Sequence, residues 1–224
     1  MLWQRGVDLK RFNPQQSAAS KHLSYSPRDL EADDTQQVEL LRRLNASSVQ
    51  KPVFLYAGRV AVEKNLDAFL GLELPGEKWI AGDGPARKAL EKQYPEAKWF
   101  GMLNHAALSE LYKQADVFVF PSMTDTFGLV LLEAMASGCP VAAFPVNGPL
   151  DVVGDSGAGV LDWDLKNAAL SALKIERDVP LKHASTFTWE NCADQFQGHL
   201  APIGNLSFGS KTLQPTPKPL SNRQ

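Results

Sequence analysis

The chain has 224 residues, enough for one large domain with appendages. Hydrophobic residues at 44% and charged residues at 21% fit a globular protein, and a net charge of −2 gives no whole-chain basis for a nucleic-acid partner. Two distant cysteines, Cys139 and Cys192, exclude a disulfide framework and a cysteine zinc site, and point to a reducing cytosol with Cys139 as a small core residue.

Residues 1–34 are polar and irregular, and residues 35–45 have helical periodicity. From Val53 short apolar runs alternate with amphipathic stretches. The runs are Val53–Ala57, Trp79–Ala81, Lys98–Phe100, Val117–Phe120 and Val141–Phe144. Helical patterns lie near 65–72, 86–93, 105–114 and 127–137. This alternation predicts an α/β fold, a Rossmann-like parallel sheet with helices on both faces. A strand at Ala158–Leu161 and helices at 163–175 and 189–200 complete the pattern. Residues 204–224 carry three prolines, three basic residues and no acid, so they read as a disordered tail. The expected division is therefore a linker over 1–34, one nucleotide-binding domain over 35–203, and the tail. No run approaches the roughly 18 apolar residues of a membrane span, and Met1-Leu-Trp-Gln-Arg lacks a signal core.

Each strand run is followed by a turn residue: Gly58, Gly82 with Gly84, Gly101, Pro121 and Pro145. In an open parallel sheet the ligand crevice lies beyond the carboxyl ends of the strands, so these loops should line one rim. The loop Gly58–Asn65 carries two cations, Arg59 and Lys64, at a helix start. Free amides there already favour an anion, Arg grips phosphate bidentately and Lys adds a point charge. Gly82-Asp83-Gly84-Pro85 has two readings. Either Asp83 caps the next helix, or the loop lies against a nucleotide that the glycines let approach.

The helix Phe127–Ala136 is apolar almost all round, yet it contains Glu133. A buried carboxylate needs hydrogen-bond donors. A ribose diol supplies two of them; a salt bridge or backbone amides are the alternative. The amides of Phe127, Gly128 and Leu129 open this helix and can meet a phosphate. Asp125 either caps it or accepts hydroxyls of a sugar. Asp162-Trp-Asp164 lies just before a helix and reads as a capping pair rather than a metal site, and His22, His105, His183 and His199 share no metal-ligand spacing.

Taken in order, Gly58-Arg59…Glu63-Lys64-Asn65, Gly82-Asp-Gly-Pro85, Ala115-Asp-Val-Phe-Val-Phe-Pro-Ser122, Thr124-Asp-Thr-Phe-Gly-Leu-Val-Leu-Leu-Glu133 and Gly148-Pro-Leu-Asp-Val-Val153 resemble the C-terminal, donor-binding domain of retaining glycosyltransferase family 4. The resemblance covers about residues 5–200 and implies half of a two-domain GT-B fold. It implies a glycosyltransferase that moves a hexosyl group from a UDP- or GDP-linked sugar without a metal or cofactor. It assigns the leaving diphosphate to Arg59 and Lys64, and the donor sugar to Asp125 and the amides of Phe127–Leu129. Glu133 would hold the ribose, Gly58, Gly82 and Gly84 would approach the nucleotide, and Gly101, Met102 and Leu103 would meet the base. The family usually has Glu where Asp125 stands, which is one methylene longer. The opening segment Trp3–Pro14 resembles the family's domain crossover. That implies an absent acceptor half, supplied by a separate chain or lost in a truncated gene product. A donor-binding module without activity of its own, and a sugar-nucleotide 2-epimerase of the same architecture, are the competing readings. The acceptor implied is a lipid or polysaccharide, and the place is the cytoplasm, at the inner membrane face when the enzyme is complete.

Overall fold

The computed structural model describes residues 6–12, 51–125 and 127–199, without the side chains of residues 195, 198 and 199. The helix expected over 35–45 and the tail over 204–224 lie outside the described residues.

Six parallel strands form one sheet: β1 (Val53–Ala57), β2 (Glu77–Ala81), β3 (Lys98–Gly101), β4 (Val117–Phe120), β5 (Val141–Ala143) and β6 (Gly159–Leu161). Their order is β3-β2-β1-β4-β5-β6. The helices are α1 (Leu66–Leu70), α2 (Arg87–Gln93), α3 (His105–Gln114), α4 (Leu129–Ala136), α5 (Asn147–Val152), α6 (Leu165–Ala172), α7 (Asp178–Ala184) and α8 (Trp189–His199), with a 3₁₀ turn at Val62–Lys64.

The strands read as continuous apolar runs because both faces of the sheet are covered. β1 shows how. Val53, Leu55 and Ala57 enter the core packed with α3 and α4, while Phe54 and Tyr56 enter the opposite core with α1, α2 and α6. This is the period-two alternation of a strand, with each side apolar. The chain winds outward from β1 to β3, crosses back through α3 to β4, and then continues to β6. The strand order therefore reverses between β1 and β4, and the loops after these two strands diverge to leave a crevice at the carboxyl rim.

Part of the expected linker belongs to the folded body. Gly6–Phe12 lies along the α3 and α4 side, with Val7 and Phe12 buried in that core. The Val7 amide donates to the Phe187 carbonyl at 2.8 Å.

The element bounds differ from expectation where polar or helix-breaking residues intervene. Half-buried Glu77 and Lys78 extend β2 toward the amino end, and Phe144 falls outside β5. The helix expected over 163–175 is confined to Leu165–Ala172. Its N-cap is Asp164, whose side chain accepts from the Lys166 and Asn167 amides, and Asp162 accepts from the Asp164 amide at 2.9 Å. Asp164 thus caps the helix, and Asp162 holds the cap residue in place through its amide and the Asn167 side chain. Asp164→Ala is expected to cost about 1 kcal/mol, which differential scanning calorimetry reads as a fall of about 2–4 °C in melting temperature. Nucleotide affinity should not change.

Candidate functional site: a crevice at the sheet switch point

The crevice has two lobes that share Ala57, Gly58, Arg59 and Val130. The first, about 420 Å³, is lined chiefly by apolar groups from the loops after β1, β2 and β3, including Gly82, Met102 and Leu103. The second, about 490 Å³, is polar and holds Lys64, Glu63, Asp125, Phe127, Gly128 and Leu129. Each lies within the roughly 300–1,000 Å³ typical of small-molecule sites. An apolar slot joined to a charged pocket suits a flat ring carrying a polar, anionic extension.

The polar lobe is organised by one ion pair. Lys64 Nζ donates to Asp125 Oδ1 at 2.6 Å, and both side chains are about one-quarter exposed, at 22% and 24%. Asp125 Oδ2 is buried and has no hydrogen-bond partner among the described residues. A buried acceptor without a donor is costly. Asp125 is not the helix cap: Gly128, in the left-handed region at φ 71°, occupies that position with no side-chain cap bond. Arg59 lines both lobes but is exposed and faces Glu63 at 3.5 Å, a weak surface pair that an incoming anion can displace.

Three residues that sequence reasoning passed over shape this lobe. The Tyr56 hydroxyl donates to the Arg59 carbonyl at 2.9 Å and so fixes the cation loop. Burial, then the negative charge of Asp125, pushes its phenol above the usual range. Asn65 adopts the left-handed conformation and donates from Nδ2 to the Pro121 carbonyl, tying the β1 and β4 loops together. Gly148 faces the Asp125 carbonyl so closely that a Cβ would lie 2.8 Å from it. The Gly148-Pro149 pair was the available signal for this contact.

The glycines divide. Gly58 and Gly82 line the apolar lobe, but a Cβ on Gly82 would strike the Gly58 carbonyl, so its glycine is required by the neighbouring loop. Gly84 has a structural reason of its own. The loop after β1 covers it, with the Val60 carbonyl where a Cβ would stand, so the neighbouring loop by itself requires a glycine here. Asp83 does not cap α2, whose N-cap is Ala86. Its carboxylate accepts from the Gly84 amide at 2.7 Å and from Arg87 at 2.9 Å, which hold it below the ordinary carboxylate range. Gly101 stands behind the rim, where its carbonyl accepts from the Gly82 amide at 2.7 Å.

Glu133 lies one turn along α4 from Leu129 and Val130, on the same helical face, but behind the residues that line the two lobes. The Tyr112 hydroxyl donates to its Oε2 at 3.3 Å. Burial raises its carboxyl to about 7, opposed by the Tyr112 hydrogen bond and then by the charge of Arg11. Among the described residues no group of three or more His, Cys, Asp or Glu side chains is placed to hold a metal. No described helix is long and apolar enough to cross a membrane.

The family model for "Glycosyl transferases group 1" matches residues 37–177, more than half of the sequence and all of the crevice loops. The chain belongs to this family. It is 36% identical over 164 residues to the sulfoquinovosyl transferase SQD2 of Arabidopsis thaliana, covering 70% of this chain and 28% of the relative. It is 31% identical to a GDP-mannose-dependent alpha-mannosyltransferase of Corynebacterium glutamicum, covering 92% of this chain and 48% of the relative. The corresponding protein of Mycolicibacterium smegmatis is 34% identical, with 92% and 52% covered. The chain thus spans about half or less of the length of these curated relatives. Its fold is similar to that of sucrose-phosphate synthase from Thermosynechococcus elongatus, with a TM-score of 0.65 at 24% identity, over 88% of this chain and 51% of that one. It is also similar to Anabaena HepE, solved in complex with UDP, with a TM-score of 0.60 at 16% identity, over 86% and 55%. These likenesses make the sheet one Rossmann-like half of the GT-B architecture.

Proposed function

We propose that the crevice binds a nucleotide-diphosphate sugar and that the chain is the donor-binding part of a retaining, metal-independent hexosyltransferase. The observation that carries this reading is the polar lobe. There the partly buried Lys64–Asp125 pair, with Asp125 Oδ2 lacking a donor among the described residues, adjoins an apolar slot at the sheet switch point. The base enters the slot against Met102 and Leu103. The diphosphate lies at Lys64 and Arg59, beside the amides that open α4. The sugar places a hydroxyl on Asp125, and the ribose reaches toward Glu133.

Transfer breaks the bond from the anomeric carbon to the diphosphate oxygen, and the electron pair stays on the diphosphate. Negative charge therefore grows where Lys64, Arg59 and the helix amides already stand, so these groups bind the transition state more strongly than the ground state. The acceptor hydroxyl, from a lipid or polysaccharide, attacks on the same face, its oxygen bonding the anomeric carbon while its proton passes to the departing diphosphate oxygen. The names of the relatives, with a GDP-linked sugar on the mannosyltransferases, support a nucleotide-sugar donor.

A second reading is a donor-binding module that transfers nothing alone. It is favoured by the fact that the groups assigned here all address the donor. Isothermal titration with UDP, GDP and their hexose conjugates, followed by donor turnover on the same preparation, separates the two. Binding with turnover and retained anomeric configuration, read by NMR, supports the enzyme reading. Binding with donor hydrolysis and transfer both absent leaves the module. No binding of any nucleotide discards both.

A further inference from the structure

The loop Gly58–Asn65 lies between two others at the carboxyl rim, because β1 stands between β2 and β4 in the sheet. On the β2 side backbone bonds fasten it. The Gly58 amide donates to the Ala81 carbonyl at 3.0 Å, the Val60 amide to the Asp83 carbonyl at 2.9 Å, and the Ala86 amide to the Val60 carbonyl at 3.1 Å. On the β4 side the strand order reverses and the loops part, so side chains make the connection. Lys64 Nζ reaches Asp125 Oδ1 at 2.6 Å, and the next residue, Asn65, donates from Nδ2 to the Pro121 carbonyl at 3.2 Å.

Asn65 makes this second tie against its local preferences. It is the N-cap of α1, where an asparagine side chain ordinarily accepts from a free amide of the first turn. Here the side chain makes no cap bond. The backbone is left-handed, at φ 54° and ψ 38°, and among the described residues no other non-glycine residue has a positive φ. Both features cost stability at the start of α1, and the bond across to the β4 loop is what they make possible.

The two ties respond differently to a donor. A diphosphate arriving at Lys64 competes with Asp125 for the ammonium and loosens the ion pair. The bond from Asn65 joins a neutral amide to a backbone carbonyl, so that competition for charge does not reach it. We propose that Asn65 is a positioning residue of the transfer reaction, which holds the Lys64 loop against the β4 loop while the donor draws Lys64 away from Asp125. This rests on the proposed seat of the diphosphate at Lys64. Without the tie the two loops move apart as the donor binds, and the ammonium no longer stands where the leaving charge develops.

The test is isothermal titration of the full chain with UDP and uridine, or with GDP and guanosine if guanine is the preferred base. Asn65→Gly is the informative variant, because glycine accepts the left-handed backbone and the change removes the side-chain bond. Its melting temperature should stay within about 2 °C of wild type. Affinity for the diphosphate should fall about fivefold, the net effect of one hydrogen bond, and affinity for the nucleoside should not change. Asn65→Asp, which keeps the size but turns a carboxylate toward the Pro121 carbonyl, should lose more. In a Lys64→Ala background the loss from Asn65→Gly should disappear, since the tie acts through the lysine. Equal losses for nucleotide and nucleoside, or an undiminished loss in that background, would mean that Asn65 only supports the fold and would overturn the proposal. Wild-type affinity in Asn65→Gly, with Lys64→Ala weakened, would refute Asn65 alone. Wild-type affinity in Lys64→Ala would remove the diphosphate from this lobe and the proposal with it.

Discussion

Lys64→Ala is expected to lower turnover of the nucleotide sugar by about 10²–10³-fold, the magnitude found when one preorganised group that meets developing charge is removed. Affinity for UDP or GDP should fall by at least about tenfold, while affinity for the uncharged nucleoside stays close to wild type. The reason is geometric. Lys64 is held in the polar lobe by its 2.6 Å contact with Asp125, so its charge is in place before the donor arrives. Removing it also strands the Asp125 carboxylate, one oxygen of which already lacks a donor. Some stability is therefore lost as well, though less than the roughly 3–5 kcal/mol of a fully buried pair, because both side chains are partly exposed. Lys64→Arg separates these effects. It keeps the charge and the pairing, so thermal stability should be preserved, while the bulkier guanidinium misplaces the charge and turnover remains depressed. Wild-type nucleotide affinity in Lys64→Ala would remove the diphosphate from this lobe.

The balance of forces at Lys64 also bears on Asp125. A carboxylate is a poor neighbour for a diphosphate, so its presence needs the lysine to neutralise it. One of its oxygens is committed to Lys64 and the other is enclosed without a donor among the described residues, which is why the proposed donor pose sets a neutral hydroxyl, and not the phosphate, against Asp125. The backbone that presents Asp125 is held on two sides. Gly148, having no Cβ, lets α5 press against the Asp125 carbonyl, and Asn65 ties the β1 loop to the β4 loop from which Asp125 is presented.

Much of this was legible in the sequence because parallel strands buried on both faces leave unbroken apolar runs. Val53–Ala57 and Val117–Phe120 were bounded to the residue for that reason. The turn glycines then placed the rim. What stayed hidden depends on tertiary packing. α5 and α7 have only six and seven residues, with Pro149 and Pro180 in the first turn where proline is tolerated, so they are too short to leave a helical period in the sequence. The Lys64–Asp125 bond joins residues 61 apart, and nothing in either segment announces the other. Gly84 is ambiguous in sequence for a related reason. A glycine that admits a ligand and a glycine that admits a neighbouring loop leave the same mark in a sequence. The 6–12 segment, too, read as a linker, because two buried side chains in seven residues make no periodic pattern.

Nucleotide binding is expected to tighten as pH rises through about 7, and Glu133 gives the cause. Its carboxyl is raised from 4.5 to about 7, chiefly by burial. A folded-state value above the unfolded one means that the protonated group suits the fold. The associated stability is fully present below about pH 4.5 and is lost as pH rises through about 7. In the unliganded chain at pH 8 the ionised carboxylate is thus a strain on the fold, bounded above by about 3 kcal/mol. Glu133→Gln should relieve it, raising the melting temperature at pH 8 while leaving it unchanged near pH 4. A ribose diol reverses the preference, since its two hydroxyls donate to the ionised form. Affinity of the wild type should therefore fall by up to about tenfold for each pH unit below 7, and the Gln variant should show a flatter profile. The variant is then more stable and binds less well, the exchange expected where a site holds a charge the fold would rather not bury. Titration calorimetry from pH 5.5 to 8.5, with thermal melts over the same range, reads both curves. Parallel pH profiles for wild type and variant would show that Glu133 does not take up the ribose. Equal melting temperatures at pH 8 would show that its carboxylate is already satisfied within the protein.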